Sequence, residues 1–362
     1  MPRRAVIDIG TNSVRLLVAD VPDGARASFP SRLPPARTER PLLRARSAIL
    51  PDAGLARSSR RGPARAPVPR AVEQRLTITR LGQGLGASGA ILPAAAKRTA
   101  AAVGEFIEAA SAAGAGPPIL VATHALRAAR NPDELLSRIR FPVRILSGDE
   151  EARLGFHGAL AGMSRLRSHP RVLVVDIGGG SVELTCGDRH RIENSLSLPI
   201  GAVVLTEQFL SHDPPLRREV AAVEEALTRT LKSPLERISR PARGVRPLEA
   251  RSRAKVSHDV PLRVIGVGGT ITTMAALEQR LDPYDPDRVH GYRLTRGAVQ
   301  RITRRLLAQT VAERRDLPGL QPERADIIAA GALVLRHLLV ELDSRQITVS
   351  ETDFLWALVL GG

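Results

Sequence analysis

The chain has 362 residues, of which 43% are hydrophobic and only 2% aromatic, with a net charge of +16 and one cysteine, Cys186. This length suggests two domains with separate cores, and a single cysteine excludes both a disulfide framework and a cysteine-based metal cluster within the chain. No apolar run reaches the length of a signal peptide or a membrane helix, so we expect a cytoplasmic protein without a membrane partner.

Strands and helices alternate along the chain. Up to residue 160, the pattern predicts strands over 4–9, 14–20, 76–81, 119–122 and 143–146 and helices over 93–113, 132–139 and 149–160. Beyond that point, it predicts strands over 172–176, 182–185 and 262–267 and helices over 215–231, 271–281, 295–309 and 324–342. Repeated strands and helices within one chain favour an α/β architecture.

Two segments, 25–69 and 240–254, lack this periodicity and are rich in arginine, proline and alanine. Twelve arginines stand against three acidic residues between positions 26 and 75, and seven basic residues against one acidic residue between 237 and 255. We expect both segments to be disordered inserts, which could bind a polyanion through charge alone or have no function of their own. Because the rest of the chain is nearly neutral and poor in aromatic residues, no specific nucleic-acid partner is expected.

An internal repeat is the strongest signal in the sequence. Residues 8–16 read D-I-G-T-N-S-V-R-L and residues 176–184 read D-I-G-G-G-S-V-E-L, so six of nine positions are identical. Each copy follows an apolar run that predicts a strand. A repeat of this kind predicts two related domains. We place them at 1–123 and 124–342, with the segment 343–362 as a candidate to complete the first.

The repeat carries residues suited to binding phosphate and metal. Carboxylates at strand ends, here Asp8 and Asp176, can hold a divalent cation or its waters. Glycines let the backbone approach a phosphate, and the N–H groups of such a turn form an anion site. The phosphate-binding candidates are therefore Gly10, Thr11, Asn12, Ser13, Arg15, Gly178, Gly179, Gly180 and Ser181. One copy alone would equally fit an ordinary β-hairpin, whereas two copies favour a cleft that holds a phosphate chain from both sides.

A third glycine-rich turn contains Gly268, Gly269 and Thr270 and lies between a predicted strand and a predicted helix. A strand, a glycine turn and a helix N-terminus together form a suitable phosphate site. We therefore add these three residues to the candidates for phosphate binding.

Three further motifs complete a resemblance to a known family: T-I-T-R-L-G-Q-G at 77–84, T-H-A-L-R at 123–127 and S-G-D-E-E-A-R at 147–153. Together with the glycine turns, they resemble the exopolyphosphatase and guanosine pentaphosphate phosphatase (Ppx/GppA) family. The resemblance implies a duplicated actin-like (ribonuclease H-like) two-domain ATPase fold, α/β in class, with an interdomain cleft. It also implies an Mg²⁺-dependent hydrolase that releases terminal phosphate from inorganic polyphosphate or guanosine pentaphosphate. Homodimers are common in the family.

The resemblance assigns the catalytic role to Glu151, which stands before Ala152 and Arg153. A carboxylate in this place could act as the general base or position the attacking water. Glu150 is the second catalytic candidate, but it lies about 100° further round the predicted helix, so only one of the two is expected to face the cleft. We favour Glu151.

The resemblance also implies a metal site at Asp8 and Asp176, with Glu151 taking part through water. Arg127 is a candidate phosphate ligand because its guanidinium matches phosphate geometry. His124 stands where some family members carry a second glutamate, and it could donate to a phosphate or merely cap a strand end. Two alternatives stay open: a guanosine pentaphosphate phosphatase with the same residues, and an actin-like nucleotide-binding scaffold without a hydrolase role.

Overall fold

The computed structural model describes residues 1–22, 69–163, 171–239 and 262–361, and the predicted inserts at 25–69 (except Pro69) and 240–254 lie outside these ranges. The strands are β1 (Arg3–Ile9), β2 (Ser13–Asp20), β3 (Arg70–Ile78), β4 (Ile119–Ala122), β5 (Val143–Ile145), β6 (Val172–Ile177), β7 (Val182–Gly187), β8 (Ile192–Leu198), β9 (Arg263–Val267), β10 (Arg293–Thr295) and β11 (Gln346–Val349). The helices are α1 (Leu85–Ser88), α2 (Pro93–Ala112), α3 (His124–Ala128), α4 (Asp133–Leu136), α5 (Gly148–Gly162), α6 (Ala202–Phe209), α7 (Arg217–Ser239), α8 (Gly269–Gln279), α9 (Pro286–Val289), α10 (Arg296–Ala308), α11 (Val311–Arg315), α12 (Ile328–Glu341) and α13 (Phe354–Gly361). None of these helices is long and apolar enough to cross a membrane.

The strands form two sheets of the same design. The strand order is β3-β2-β1-β4-β5 in the first sheet and β10-β11-β9-β6-β7-β8 in the second. Each sheet joins an antiparallel meander, β1–β2–β3 or β6–β7–β8, to a strand that runs parallel to the first member of the meander, β4 or β9. The two copies of the sequence repeat therefore connect equivalent strand pairs, β1–β2 and β6–β7.

Helices cover both faces of each sheet. On the first sheet, α2 covers the face that carries Ile7 and Leu16, and α13 covers the face that carries Val6 and Leu17. On the second sheet, α7, α8, α10 and α12 lie on one face and α5 on the other. Strands buried on both faces need apolar side chains in both directions, which explains the unbroken Val-Leu-Val-Val run that opens β6.

The two halves are joined by the contact between α5, which packs on the second sheet, and α13, which packs on the first. Gly158 of α5 lies so close to the carbonyl group of Asp353 that a Cβ at this position would overlap it. A glycine on α5 therefore lets the loop before α13 lie directly against the helix. This contact brings the loop that carries Asp353 beside the helix that carries Glu151.

Several predicted elements need correction. β3 begins at Arg70 instead of residue 76, α12 begins at Ile328 instead of residue 324, and only α4 forms within the helix predicted over 132–139. The elements that were not predicted are β8, β10, β11, α1, α3, α6, α9, α11 and α13. β8 has no fully buried position, and α13 is apolar on nearly every side, so neither shows the alternation or the 3.6-residue period that identifies an element from sequence.

The predicted division at residue 123 assigned β5 to the second domain, but β5 pairs with β4 in the first sheet. The chain leaves the first sheet only after β5, because the element that passes to the second sheet is α5. The segment 343–362 divides its contacts: β11 pairs with β9 and β10 in the second sheet, whereas α13 packs on the first.

Candidate active site

The two repeats form matching turns at the carboxyl ends of β1 and β6. In the first turn, the N–H of Gly10 donates to the carbonyl of Ser13 (2.9 Å), and in the second the N–H of Gly178 donates to the carbonyl of Ser181 (3.0 Å). Ligands of open α/β sheets bind at the carboxyl ends of the strands. The turns therefore mark a binding site that both halves share.

The two turns lie against each other. A Cβ on Gly180 would overlap the side chain of His124 and crowd that of Thr11, and a Cβ on Gly179 would lie 3.3 Å from the Asn12 Cβ. Among the described residues, we find no hydrogen-bond acceptor for the backbone N–H groups of these two glycines or of Thr11 and Asn12. Four unpaired backbone donors on facing turns can coordinate one anion from both sides.

A cavity of about 460 Å³ opens beside these turns. Of the predicted phosphate-binding residues, all except Arg127 line it. Six carboxylates from five different elements also line it: Asp8 on β1, Asp176 on β6, Glu183 on β7, Glu151 in the first turn of α5, and Glu351 and Asp353 in the loop before α13. Three of these six acids were predicted from the sequence, whereas Glu183, Glu351 and Asp353 were not.

Arg15 is the main counter-charge of this cluster. Its Nε donates to Asp8 Oδ2 (2.9 Å), and its Nη1 forms an ion pair with Asp353. Burial alone would lower the pKa of Arg15, but Asp353 and Asp8 raise it, so the side chain stays protonated. Arg15 was predicted to bind phosphate, but its guanidinium is paired with two carboxylates. In the second repeat, the equivalent position is Glu183, which stands opposite Asp176 as Arg15 stands opposite Asp8.

Burial raises the pKa of the acids in the second half of the cleft. It raises the pKa of Asp176 to about 7, with Asp353 adding to the shift and Arg15 opposing it. It raises the pKa of Glu183 well above its usual value, and repulsion from Glu151 and Asp176 acts in the same direction. The cluster therefore retains protons near neutral pH, and a cation entering the cleft would displace them.

Glu151 is oriented by Arg127. The Nη1 of Arg127 donates to Glu151 Oε2 (2.9 Å) and to the carbonyl of Leu146 (2.7 Å). Burial raises the pKa of Glu151 to about 7, and Arg127 acts against the shift. A carboxylate that titrates near neutral pH, with one oxygen fixed, suits a general base or a group that positions water.

The neighbouring Glu150 stabilises the start of α5 and does not line the cleft. Its Oε2 accepts from the N–H of Ser147 (2.8 Å), while the Oγ of Ser147 accepts from the N–H of Glu150 (3.2 Å). Burial would raise the pKa of Glu150, but these bonds and the ion pair with Arg144 lower it. The prediction of Glu150 as a second catalytic residue is corrected here, because its carboxylate completes a capping box.

The third glycine turn faces Arg324, which the sequence analysis placed in a helix and did not consider. Gly268 has a φ of 85°, in the left-handed region that favours glycine, and a Cβ on Gly269 would overlap the Arg324 guanidinium. The Nε of Arg324 donates to Gln321 Oε1 (2.7 Å), and no described carboxylate forms an ion pair with it. Burial, and next Arg15, lower the pKa of Arg324 to about 10, so it stays cationic at neutral pH. A guanidinium beside the N-terminus of α8 suits a phosphate group.

His124 begins α3 and lines the same cavity. Burial and the charge of Arg127 lower the pKa of His124. The imidazole is therefore neutral at neutral pH. In that form it can donate a hydrogen bond to a phosphate oxygen, but it does not add a positive charge to the site.

The three carboxylates of the predicted Mg²⁺ site, Asp8, Asp176 and Glu151, all line the cavity. Asp8 Oδ1 is buried and has no hydrogen-bond partner among the described residues. Within the same part of the chain, no three Asp, Glu, His or Cys side chains are close enough to form a complete metal site. Mg²⁺ usually keeps several waters and binds through one or two carboxylates together with substrate phosphates. The residues therefore fit an ion that binds together with a phosphate ligand.

Comparison with known sequences identifies relatives of this chain. The model of the Ppx/GppA phosphatase family matches residues 64–354. Exopolyphosphatase 2 of Mycobacterium tuberculosis is 32% identical over 374 aligned positions, which cover 99% of this chain and 98% of the relative. Exopolyphosphatase 1 of Mycobacterium leprae is 32% identical over 77% of this chain and 76% of its own length.

Comparison with solved structures identifies proteins with the same fold. A Ppx/GppA family member from Aquifex aeolicus matches with a TM-score of 0.68 at 27% identity, covering 99% of this chain and 96% of the other. An exopolyphosphatase from Cytophaga hutchinsonii matches with a TM-score of 0.72 at 23% identity, covering 98% and 96%, and supports the fold alone. The predicted fold class, a duplicated actin-like α/β fold, is confirmed.

Proposed function

This chain belongs to the Ppx/GppA phosphatase family, and from that premise we propose that it is an exopolyphosphatase, which releases terminal orthophosphate from inorganic polyphosphate with the help of Mg²⁺. As a member of this family, it is a phosphoanhydride hydrolase, and the alternative of a scaffold without a hydrolase role is wrong. One observation carries the proposal. Four unpaired backbone donors on facing turns lie beside a buried glutamate, Glu151, whose pKa is raised to about 7.

The residues of the cleft divide into two groups by charge. The N–H groups of the two turns would hold the terminal phosphoryl group, and Arg324 with the N-terminus of α8 would hold a neighbouring phosphate. Asp8 and Asp176 would hold Mg²⁺, which when bound neutralises charge on the phosphoryl oxygens. In phosphoryl transfer, positioning and electrostatic stabilisation supply most of the rate enhancement. This division places negative protein groups at the metal and positive ones at the substrate.

Glu151 would accept a proton from the water that attacks the terminal phosphorus. The water oxygen forms the new P–O bond, the bond between phosphorus and the bridging oxygen breaks, and the electron pair stays with the shortened chain. Arg127 holds Glu151 Oε2, so the other carboxylate oxygen can take the proton. Direct hydrolysis of this kind needs no covalent enzyme intermediate.

The proposal is tested by measuring phosphate release, in the presence of Mg²⁺, from long-chain polyphosphate, guanosine pentaphosphate and ATP in parallel. We expect polyphosphate to have the highest kcat/KM. A higher kcat/KM for guanosine pentaphosphate would assign the protein to the other activity of the family. A folded protein that releases phosphate from none of the three would contradict the proposal.

The pH dependence of kcat/KM should follow the ionisation of Glu151. Because a general base must be deprotonated, we expect activity to fall as the pH drops below about 7. Arg127 lowers the pKa of Glu151 against the effect of burial, so Arg127→Met should move this acid limb to higher pH. Arg138→Met is the control, since the side chain of Arg138 pairs with Glu134, four residues earlier in the chain, and does not line the cleft. An acid limb that stays in place in Arg127→Met would contradict the assignment.

Arg324→Ala should raise KM for polyphosphate by about tenfold or more, because a charge-assisted hydrogen bond to phosphate contributes about 1.5–3 kcal/mol. The effect on kcat should be smaller, since Arg324 lies beside the third glycine turn and is assigned to a phosphate next to the one that is released. Arg301→Ala is a suitable control, because Arg301 is exposed and pairs with Glu278 on the surface. Steady-state kinetics of both variants measure the difference. An unchanged KM in Arg324→Ala would exclude this residue from the phosphate site.

A further inference from the structure

A loop of the first half, residues 79–84, crosses to the second half, and we call it the strap. Its backbone is attached to the first glycine turn: the N–H of Arg80 donates to the carbonyl of Asn12 (2.9 Å), and the N–H of Gly82 donates to the carbonyl of Thr11 (2.8 Å). The donors of the first turn and the strap therefore form one unit.

The side chain of Arg80 leaves this unit and binds the second half. Its Nη1 forms an ion pair with Asp326 Oδ2 (2.8 Å), and its Nη2 donates to the carbonyl of Glu323 (3.3 Å). These two partners stand on either side of Arg324 in the chain. Arg80 also has a φ of 52°, a left-handed conformation that is uncommon for a residue other than glycine and is maintained where surrounding contacts require it.

The other end of the strap binds α6. The N–H of Gly84 donates to both carboxylate oxygens of Glu207 (3.0 and 3.2 Å). The start of α6 is itself attached to the second glycine turn, since the N–H of Ala202 donates to the carbonyl of Gly178 (2.9 Å). The strap is therefore bound to the first glycine turn and makes two contacts with the second half. Its Gly84 end binds α6, which contacts the second glycine turn, and its Arg80 end binds the residues on either side of Arg324.

The buried side chain of Arg314 binds the segment around Arg324 from the protein core. It is 2% exposed, and it donates to the carbonyls of Leu306 (2.7 Å) and Ala325 (3.0 Å). Residues 322–326 are therefore bound from the core by Arg314 and from the opposite half by Arg80. Only the second of these contacts depends on how the two halves meet.

We propose that Arg80 is a positioning residue that acts through Arg324. By binding Glu323 and Asp326 from the other side of the cleft, it places the Arg324 guanidinium against the third glycine turn when the first turn is in its phosphate-binding position. The inference rests on the proposed function, because it assumes that Arg324 contacts a phosphate of the substrate. The contact of Arg80 would couple the two halves of the cleft in binding a phosphate chain, although each half has its own hydrogen-bond donors for phosphate.

A purely structural ion pair would behave differently. Arg80 and Asp326 have side chains that are 41% and 30% exposed, and pairs of this kind contribute little to folding stability. If Arg80 only joined two surfaces, its removal would leave both the affinity for phosphate and the effect of Arg324 unchanged. A positioning role predicts a change in KM that disappears when Arg324 is absent.

The test is a double-mutant cycle with Arg80→Ala, Arg324→Ala and the double variant, with kcat and KM measured on polyphosphate. We expect Arg80→Ala to raise KM about threefold to tenfold with little change in kcat. In the double variant, KM should equal that of Arg324→Ala alone. The charge exchange Arg80→Asp with Asp326→Arg should bring KM back towards the wild-type value, since the pair is restored with the charges reversed. Arg138→Ala serves as the control for loss of an exposed arginine.

Two results would overturn the inference: effects of the two single variants on KM that multiply in the double variant, or a charge exchange that leaves KM as high as in Arg80→Ala. Calorimetric titration of all variants with tripolyphosphate and Mg²⁺, each carried in a Glu151→Gln background in which hydrolysis is slowed, gives the same cycle for binding. If the wild-type protein releases no phosphate from any substrate, the proposed function fails, whereas the coupling between Arg80 and Arg324 is still measured by this titration. Additive binding energies, or the absence of tripolyphosphate binding, would then contradict the positioning role.

Discussion

Glu151→Gln is expected to lower kcat for phosphate release by about 10²- to 10⁴-fold, because an amide cannot accept the proton of the attacking water. Glutamine has the size of glutamate and can still accept the hydrogen bond from Arg127, so folding and KM should change little. The measurement is steady-state hydrolysis of polyphosphate at about pH 8, where the wild-type carboxylate, with its pKa of about 7, is deprotonated.

Glu150→Gln is the matched control for this prediction. The two glutamates are neighbours in the first turn of α5, but only Glu151 lines the cleft. Glutamine at position 150 can still complete the capping box with Ser147, so we expect kcat to stay within about threefold of the wild type. Equal losses in the two variants would mean that the helix start, and not one carboxylate, is needed for activity. A Glu151→Gln variant with wild-type kcat would remove the general base from the proposed mechanism.

The repeat was recognisable from the sequence because both copies meet the same backbone requirement. Each closes a strand pair through a glycine N–H, at Gly10 or Gly178, that donates to a serine carbonyl, at Ser13 or Ser181. Residues that a turn of this geometry requires recur at the same spacing in both copies, because the requirement is independent of the rest of the fold. The carboxyl-end position of Asp8 and Asp176 follows from the same local argument, and the structure brings both to one cavity.

Other members of the site depend on contacts between distant parts of the chain. Asp353 reaches Arg15 because its loop lies against Gly158 of α5, a contact that no local pattern announces. Arg324 falls within an apolar stretch that predicts a helix, whereas it ends a 3-10 turn before α12. Glu183 was within reach of the sequence analysis, since it occupies the place of Arg15 in the second repeat, but the difference in charge hid the equivalence.

Arg15→Met should lower the free energy of unfolding by about 3–5 kcal/mol at neutral pH. Methionine retains most of the apolar length of arginine but leaves Asp8 and Asp353, 3% and 7% exposed, without their cationic partner. Urea denaturation at equilibrium measures the loss. Arg3→Met is the control, because the Arg3–Asp20 pair is about one-third exposed and should contribute about 1 kcal/mol or less.

The loss in Arg15→Met should grow as the pH rises. Burial raises the pKa of Asp8 and Arg15 opposes the shift, so removing Arg15 raises this pKa further. A carboxyl whose pKa is higher in the folded state favours folding below its ordinary value of 3.8, and this contribution is lost as the pH rises through the folded-state pKa. Asp176, with a pKa of about 7, already makes the wild type follow this trend, and the variant should follow it more steeply. The difference in unfolding free energy between the two proteins should therefore be small near pH 4 and largest above pH 7. A difference that stays constant over this range would show that Arg15 stabilises the fold through packing and not through its charge.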